Sequence, residues 1–425
     1  MAEVKVQTHR AMADRFSSRA EGMKRSPIRE LLKLVNKPGL ISFAGGLPHP
    51  GSFPARELAE ICHEVIQSGA EISLQYSATE GLTSLRDLLV SFMAENGLKL
   101  DREELVITTA SQQSLDLMGK IFLDRGDLII TENPSYLGAV SAFKSYGTNF
   151  LAIEMDEEGL RTDLLRRELE ALQRRAGRDY LREKLKFLYT VPDFQNPSGI
   201  TMSLPRRREL LEIASEFDFL IVEDMPYRWL RFAGETLPML SALECGPDDR
   251  PCSGFRRVID LFTFSKILSP GIRLGWVTAA AEVIDKLVQA KQSADLCTSA
   301  LSQRIAEEFL KRGLIPARIR QNCDIYRRKL AVMLEALEQH MPKAPGLCWT
   351  RPQGGLFLWL ILPEAMNTEQ MFAAAIARNV AYVVGASFYP NGGGHNTMRL
   401  NFSFPTEEEI REGIRRLAGL VASWQ

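Results

Sequence analysis

Between about Leu105 and Ala279, short apolar runs alternate with longer amphipathic stretches, and no other feature restricts the fold of this chain so tightly. Leu105–Thr108, Leu128–Thr131, Phe187–Thr190, Phe219–Val222 and Val258–Phe262 read as strands buried on both faces. Stretches between them, such as Leu204 to Phe217, carry helical spacing. Strands alternating with helices predict an α/β domain on a largely parallel sheet. The runs end in polar segments bearing Gly, Pro or a helix start: Ala110-Ser-Gln-Gln113, Glu132-Asn-Pro-Ser-Tyr136, the stretch 192–199 and Glu223-Asp-Met-Pro-Tyr227. Ligands of open α/β sheets sit at the carboxyl ends of the strands, so these segments are expected to face one crevice.

After Ala279 the pattern changes. A long helical stretch, about Ser302 to His340, precedes strand-like segments at Gly355–Leu362, Ala381–Val384 and Met398–Phe402 and a closing helix from Thr406. This predicts a smaller α+β domain. The expected division is an arm over residues 1–60 that packs on the small domain and the cleft, a large domain over 61–305 and a small domain over 306–425. A chain of 425 residues buries enough surface for two such cores.

Charge and composition exclude several functions. A formal net charge of −1 offers no general attraction to nucleic acid or an anionic membrane, and Arg206-Arg207-Arg208 reads as a solvated helix face. The six cysteines are scattered without a CxxC pair, which argues against a zinc site and a disulfide framework. There are five histidines and no HExxH, so no metal is expected. No segment is long and apolar enough to span a bilayer, and Met1 to Lys24 lacks the apolar core of a signal peptide. The expected location is cytoplasmic.

One lysine stands where the last apolar run ends. In Leu261-Phe-Thr-Phe-Ser-Lys-Ile-Leu-Ser-Pro-Gly-Ile-Arg-Leu-Gly275, Lys266 follows Thr263 and Ser265, and Arg273 comes after a Ser-Pro-Gly turn. A buried amine is costly to charge, so its pKa falls and it becomes nucleophilic towards carbonyls. Two hydroxyls and a guanidinium suit a phosphate. Together they match what holding pyridoxal 5′-phosphate requires.

Other residues fit the same chemistry. Asp224, after Phe219–Val222, is placed to pair with a pyridine nitrogen and keep it protonated. Tyr227 and Asn196 are placed to reach the ring's phenolic oxygen. Ser111 and Gln112 follow a strand and open a helix, where free N–H groups attract phosphate. Tyr136 is placed to stack on a flat ring. Arg399 lies within the apolar segment Met398–Phe402, where an unpaired charge is costly. A substrate α-carboxylate would explain it, and so would an internal Asp or Glu. Arg29 opens an amphipathic helix as a lid residue for a second carboxylate, or as an exposed one. Taken singly, each has an ordinary alternative, since Asn-Pro starts turns and Asp or Ser caps helices.

Together these residues resemble the fold-type I aminotransferases dependent on pyridoxal phosphate, in the α-aminoadipate/kynurenine aminotransferase branch that includes bacterial 2-aminoadipate transaminases. The likeness runs from about Ser26 to the C-terminus through Ile41-Ser-Phe-Ala-Gly-Gly-Leu-Pro48, Leu74-Gln-Tyr-Ser77, Ala110-Ser-Gln-Gln113, Asn196-Pro-Ser-Gly199, Ser265-Lys266, Pro352-Gln-Gly-Gly355 and Met398-Arg399. The resemblance implies a large cofactor-binding domain on a mostly parallel, seven-stranded-type sheet. It makes Lys266 the Schiff-base lysine and proton shuttle, and Asp224 the pyridinium partner. It gives Asn196 and Tyr227 to the phenolic oxygen and Tyr136 to the ring face. Ser111, Gln112, Thr263, Ser265 and Arg273 would hold the phosphate. Tyr76 would reach the cofactor of the other subunit in an obligate homodimer. Arg399 would bind the α-carboxylate, with Gly46 and Asn196 beside the substrate and Arg29 at its distal group. Two positions depart from the pattern: Met225 stands where a second acidic residue is common, and Thr263 replaces a serine.

The implied function is a ping-pong aminotransferase. It would take 2-aminoadipate, glutamate or a branched-chain or aromatic amino acid as donor and a 2-oxo acid such as 2-oxoglutarate as acceptor. The alternatives are another reaction of the same cofactor, such as β-elimination or decarboxylation, and a cofactor-sensing regulatory domain. The latter needs an N-terminal helix-turn-helix extension, and only about 25 residues precede Ser26.

Overall fold

The computed structural model describes residues 12–21, 23, 38–246 and 255–424. The chain passes through β1 (Ile41–Ser42), β2 (Leu105–Thr108), β3 (Leu128–Asn133), β4 (Asn149–Asp156), β5 (Gly159–Leu160), β6 (Leu185–Thr190) and β7 (Leu220–Asp224). It continues through β8 (Val258–Thr263), β9 (Gly275–Thr278), β10 (Cys348–Trp349), β11 (Phe357–Ile361), β12 (Val380–Ala381), β13 (Val383–Val384) and β14 (Thr397–Asn401).

The large sheet has the order β2-β9-β8-β7-β6-β3-β4-β5. Its centre is parallel, β8 with β7, β7 with β6, β6 with β3 and β3 with β4. Only β9, against β8 and β2, and the two-residue β5 run antiparallel. The expected α/β fold with a mostly parallel sheet is the fold observed. The central strands are closed to water on both faces; every residue of β8 is buried. The helix predicted over Leu204–Phe217 has those bounds.

Three strands of this sheet escape the sequence reading, the two-residue β5 and the longer β4 and β9. β4 is an outer strand whose residues are mostly half-buried, so it lacks a continuous apolar run. β9 returns beside β8 after only the turn 264–274. Antiparallel pairing needs no helical crossover, and the helical spacing that marks the other strands is missing there.

A second, antiparallel sheet has the order β10-β11-β14-β13, and β1 pairs in parallel with β12. The helix Ile315–His340 packs on the closing helix Glu407–Ser423. The stretch expected as one helix from Ser302 to His340 is two, Ala300–Lys311 and Ile315–His340. Gly313 takes φ +64° between them and Pro316 enters the first turn of the second, a stop followed by a start.

Two further expectations are corrected. Arg207 is not on a solvated face. It is fully buried and, with Arg228 and Arg231, surrounds the single carboxylate of Asp193 at 2.8–3.3 Å. The scatter of cysteines argued against a disulfide framework and for free thiols; Cys62, Cys297, Cys323 and Cys348 are free, but Cys245 is disulfide-bonded. Among the described residues no helix is long and apolar enough to cross a membrane, and no cluster of potential metal ligands is found.

Candidate active site

The carboxyl ends of β3, β6, β7 and β8 converge on a cavity of about 290 Å³, closed from the other side by β14 and the Gly46 segment. Twelve of the residues singled out from the sequence line it: Gly46, Ser111, Gln112, Tyr136, Asn196, Asp224, Tyr227, Thr263, Ser265, Lys266, Arg273 and Arg399. A larger cleft of about 900 Å³, beside Trp349 and Arg351, contains none of them. The smaller cavity is therefore the chemical one. Tyr76 does not line it and is 77% exposed. Arg29 lies outside the described residues.

Asp224 closes β7 and is buried. Its Oδ2 accepts a hydrogen bond of 2.8 Å from the Tyr189 hydroxyl, whereas Oδ1 is buried without a partner. Burial pushes its pKa up to about 7 against the opposing effect of that hydrogen bond. Nearby on β3, the buried Glu132 is also pushed up to about 7, chiefly by burial and slightly by Asp224. Glu132 accepts from the Thr190 hydroxyl, Gln195 Nε2 and the Val191 amide, tying the end of β6 to β3.

Lys266 follows β8 by three residues, and its Nζ donates to the Gly46 carbonyl at 2.9 Å. Burial, then the charges of Arg399 and Arg273, lower its pKa from 10.5 to about 8. At pH 7.5 about a quarter of such an amine is neutral, against about one in a thousand for an ordinary lysine. Only the neutral amine attacks a carbonyl. The rate of cofactor attachment to the apoprotein, followed by rapid-mixing absorbance, is therefore expected to rise through pH 8 and level off near pH 9. A rise centred near 10.5 would count against the site.

The opposite end of the cavity is rich in donors. Thr263 Oγ1 and Ser265 Oγ lie 2.8 Å apart. Arg273 takes a left-handed φ of 54° where the short helical turn Pro270–Ile272 ends. The helix Ala110–Phe122 begins there with Thr109 at its cap, and no side chain caps its first amides. The Thr109 hydroxyl turns instead to Asp295 at 2.9 Å. Gly275 permits this close approach: a Cβ there would lie 2.5 Å from Phe262 O and 3.1 Å from the Ala110 backbone. Tyr136 lies across Gly138, where a Cβ would come within 2.5 Å of its ring.

Arg399, on β14, is buried and has no carboxylate partner among the described residues. Its guanidinium donates to Asn196 Oδ1 at 2.9 Å and to the Ala44 carbonyl at 3.0 Å, while Nε has no partner. It packs 4.1 Å from the centre of the Phe357 ring and 5.2 Å from that of Phe388. Burial lowers its pKa from 12.5 to about 10. Asn196 Nδ2 donates to the Tyr227 hydroxyl at 3.2 Å, linking Arg399, Asn196 and Tyr227. Among the described residues no internal Asp or Glu explains Arg399.

Sequence reasoning missed Tyr189, Glu132, Phe357 and Phe388. Tyr189 stands in an apolar strand and reads as core, and Glu132 reads only as part of the polar segment that ends its strand. The aromatic residues carry no local signal, because β11 and the 388 turn reach Arg399 only through tertiary packing.

The donor set fits pyridoxal phosphate: an orphaned buried carboxylate oxygen for a ring nitrogen, uncapped amides with hydroxyls and an arginine for a phosphate, and a lysine of low pKa between them. The comparisons agree. The family model "Aminotransferase class I and II" matches residues 52–417. The aromatic-amino-acid aminotransferase 1 of Thermococcus litoralis is 46% identical over 96% of this chain and 94% of its own. The 2-aminoadipate transaminase of Thermus thermophilus is 43% identical over 96% and 98%. A crystal structure of Pyrococcus horikoshii kynurenine aminotransferase in complex with PMP superposes with a TM-score of 0.89, at 41% identity, over 96% of this chain and 97% of that one. The chain belongs to the class I and II aminotransferases.

Proposed function

We propose that the enzyme moves an amino group from an L-amino acid to a 2-oxo acid by a ping-pong mechanism. The donors would be 2-aminoadipate, glutamate and branched-chain or aromatic amino acids, and 2-oxoglutarate an acceptor. The relatives named for aminoadipate and for aromatic amino acids support this range. One observation carries the reading: Lys266, the free oxygen of Asp224 and an arginine with no carboxylate partner among the described residues all line one small cavity. Pyridoxal 5′-phosphate, the cofactor of this family, supplies an electron sink for negative charge at the substrate α-carbon.

The protein's residues supply the rest. Asp224 Oδ1 holds a proton on the ring nitrogen. Tyr227 and Asn196 hold the phenolic oxygen, and Tyr136 covers the ring. Ser111, Gln112, Thr263, Ser265 and Arg273 fix the phosphate end. Arg399 takes the α-carboxylate with the N–H groups that Asn196 and Ala44 leave unused, so Asn196 positions substrate and phenolic oxygen together. Gly46 and Asn196 border the substrate, and Arg29 meets its distal group. Lys266 Nζ, neutral in an appreciable fraction near neutral pH, carries the α-proton away and later returns it. The exposed Tyr76, beside the exposed Ile72 and Leu74, would complete the site of a second subunit in a homodimer. The proposed location is cytoplasmic.

The test is a panel of 2-aminoadipate, glutamate, leucine, kynurenine and aromatic amino acids, each followed by loss of the lysine-bound cofactor's absorbance and its return with 2-oxoglutarate. Parallel lines in double-reciprocal rate plots are expected. Loss of absorbance without transfer to any oxo acid would overturn the reading. Arg399→Ala is expected to cut kcat/KM for every donor between about thirtyfold and several thousandfold, as for removal of one partner of a buried charged contact. Arg399→Lys recovers only part, because it lacks the two-pronged donor.

A further inference from the structure

Tyr189 lies on β6, one strand over from Asp224. In the parallel pairing of β6 with β7 it is in register with Val222. Residues two apart on a strand share a face, so Asp224 presents its carboxylate one diagonal step from the tyrosine ring. The hydroxyl donates to Asp224 Oδ2 at 2.8 Å. The residue is fully buried, and its ring stands edge-on to Phe143 at 5.7 Å, which fixes its direction. Asp224 Oδ1 is left without a partner at the cavity.

We propose that Tyr189 is a positioning residue for the cofactor: by occupying Oδ2 it leaves Oδ1 to meet the ring nitrogen, and it favours the charged carboxylate. The proposal rests on the reading of Asp224 as the partner of that nitrogen. A hydrogen bond to the charged form of an acid stabilises that form. Here it opposes the burial of Asp224, and the Glu132 carboxyl also faces the pair. The other ionisable groups facing Tyr189 and Asp224 are Tyr136 and Tyr227. Burial and Asp224 raise the Tyr189 hydroxyl well above its ordinary pKa, so it remains a donor at any working pH.

The experiment compares the holoenzymes of Tyr189→Phe, Tyr189→Leu and Asp224→Asn with the wild type. Tyr189→Phe keeps the ring and removes only the oxygen. It is expected to weaken cofactor binding to the apoprotein about tenfold, the loss of one hydrogen bond to a charged group. A ring nitrogen that loses its proton more readily withdraws fewer electrons from the linkage to Lys266. The pH titration of the bound cofactor's absorbance should therefore move up by about half a unit or more. kcat should fall more than KM rises. If Asp224→Asn leaves affinity and titration unchanged, the reading of Asp224 falls and the proposal with it. If Asp224→Asn moves both and Tyr189→Phe moves neither, the proposal alone is overturned. A change confined to Tyr189→Leu also overturns it, since ring packing would then be the cause.

Discussion

Lys266→Ala is expected to lower turnover by about 10⁴-fold or more and to erase the absorbance of the lysine-bound cofactor. Two functions disappear with one amine, the nucleophile that holds the cofactor and the proton carrier at the α-carbon, and general acid–base catalysis alone contributes about 10²- to 10⁴-fold. The Gly46 carbonyl also loses its 2.9 Å donor, so a local structural effect must be separated from the chemical one. Lys266→Arg does this. Arginine retains a cation and a donor for Gly46 but stays charged at working pH, so it neither attacks a carbonyl nor accepts a proton. The two variants should be equally inactive, with melting temperatures near that of the apoprotein. An alanine protein within tenfold of wild-type turnover would remove Lys266 from its assigned role.

The residues legible in the sequence share one property: each breaks a local pattern. Lys266 and Arg399 are charges in apolar segments, and Asp224 is a carboxylate closing a buried strand. Such placements demand a compensating partner, so they stand out from the order of residues alone. The parallel centre of the sheet was legible for a similar reason, because strands buried on both faces must be apolar throughout. β4 and β9 were hidden by the converse, one half-exposed and one joined without a crossover helix. Tyr189 and Phe357 satisfy the local pattern perfectly well as core aromatics, and their part in the site arises from strand register and from β11 facing β14. Gly313 and Pro316 did announce the helix break and were outweighed by the apolar periodicity on both sides.

Asp224→Asn is expected to pull activity and stability in opposite directions. The amide keeps the shape and still accepts from Tyr189, but it has no charge to hold a proton on the ring nitrogen. Loss of such a preorganised charge costs about 10²- to 10³-fold in kcat. In the apoprotein the same carboxylate is a liability. Its pKa rises from 3.8 to about 7 on folding, mainly through burial. The folded state therefore binds the proton more tightly than the unfolded chain does. Its stability is fully present below pH 4 and is lost as pH rises through 7, by an amount on the order of 4 kcal/mol. The asparagine variant carries no such loss. Its apoprotein should melt several degrees above the wild-type apoprotein at pH 8, and the difference should vanish towards pH 4, as thermal scans at the two pH values would show. Equal melting temperatures at pH 8 would mean that Asp224 is not charged and strained in the empty fold. The cofactor reverses the balance: a protonated ring nitrogen gives Oδ1 the partner it lacks, so binding should stabilise the wild type more than the variant. A buried carboxylate left half-satisfied weakens the fold alone and becomes useful only when the ring arrives.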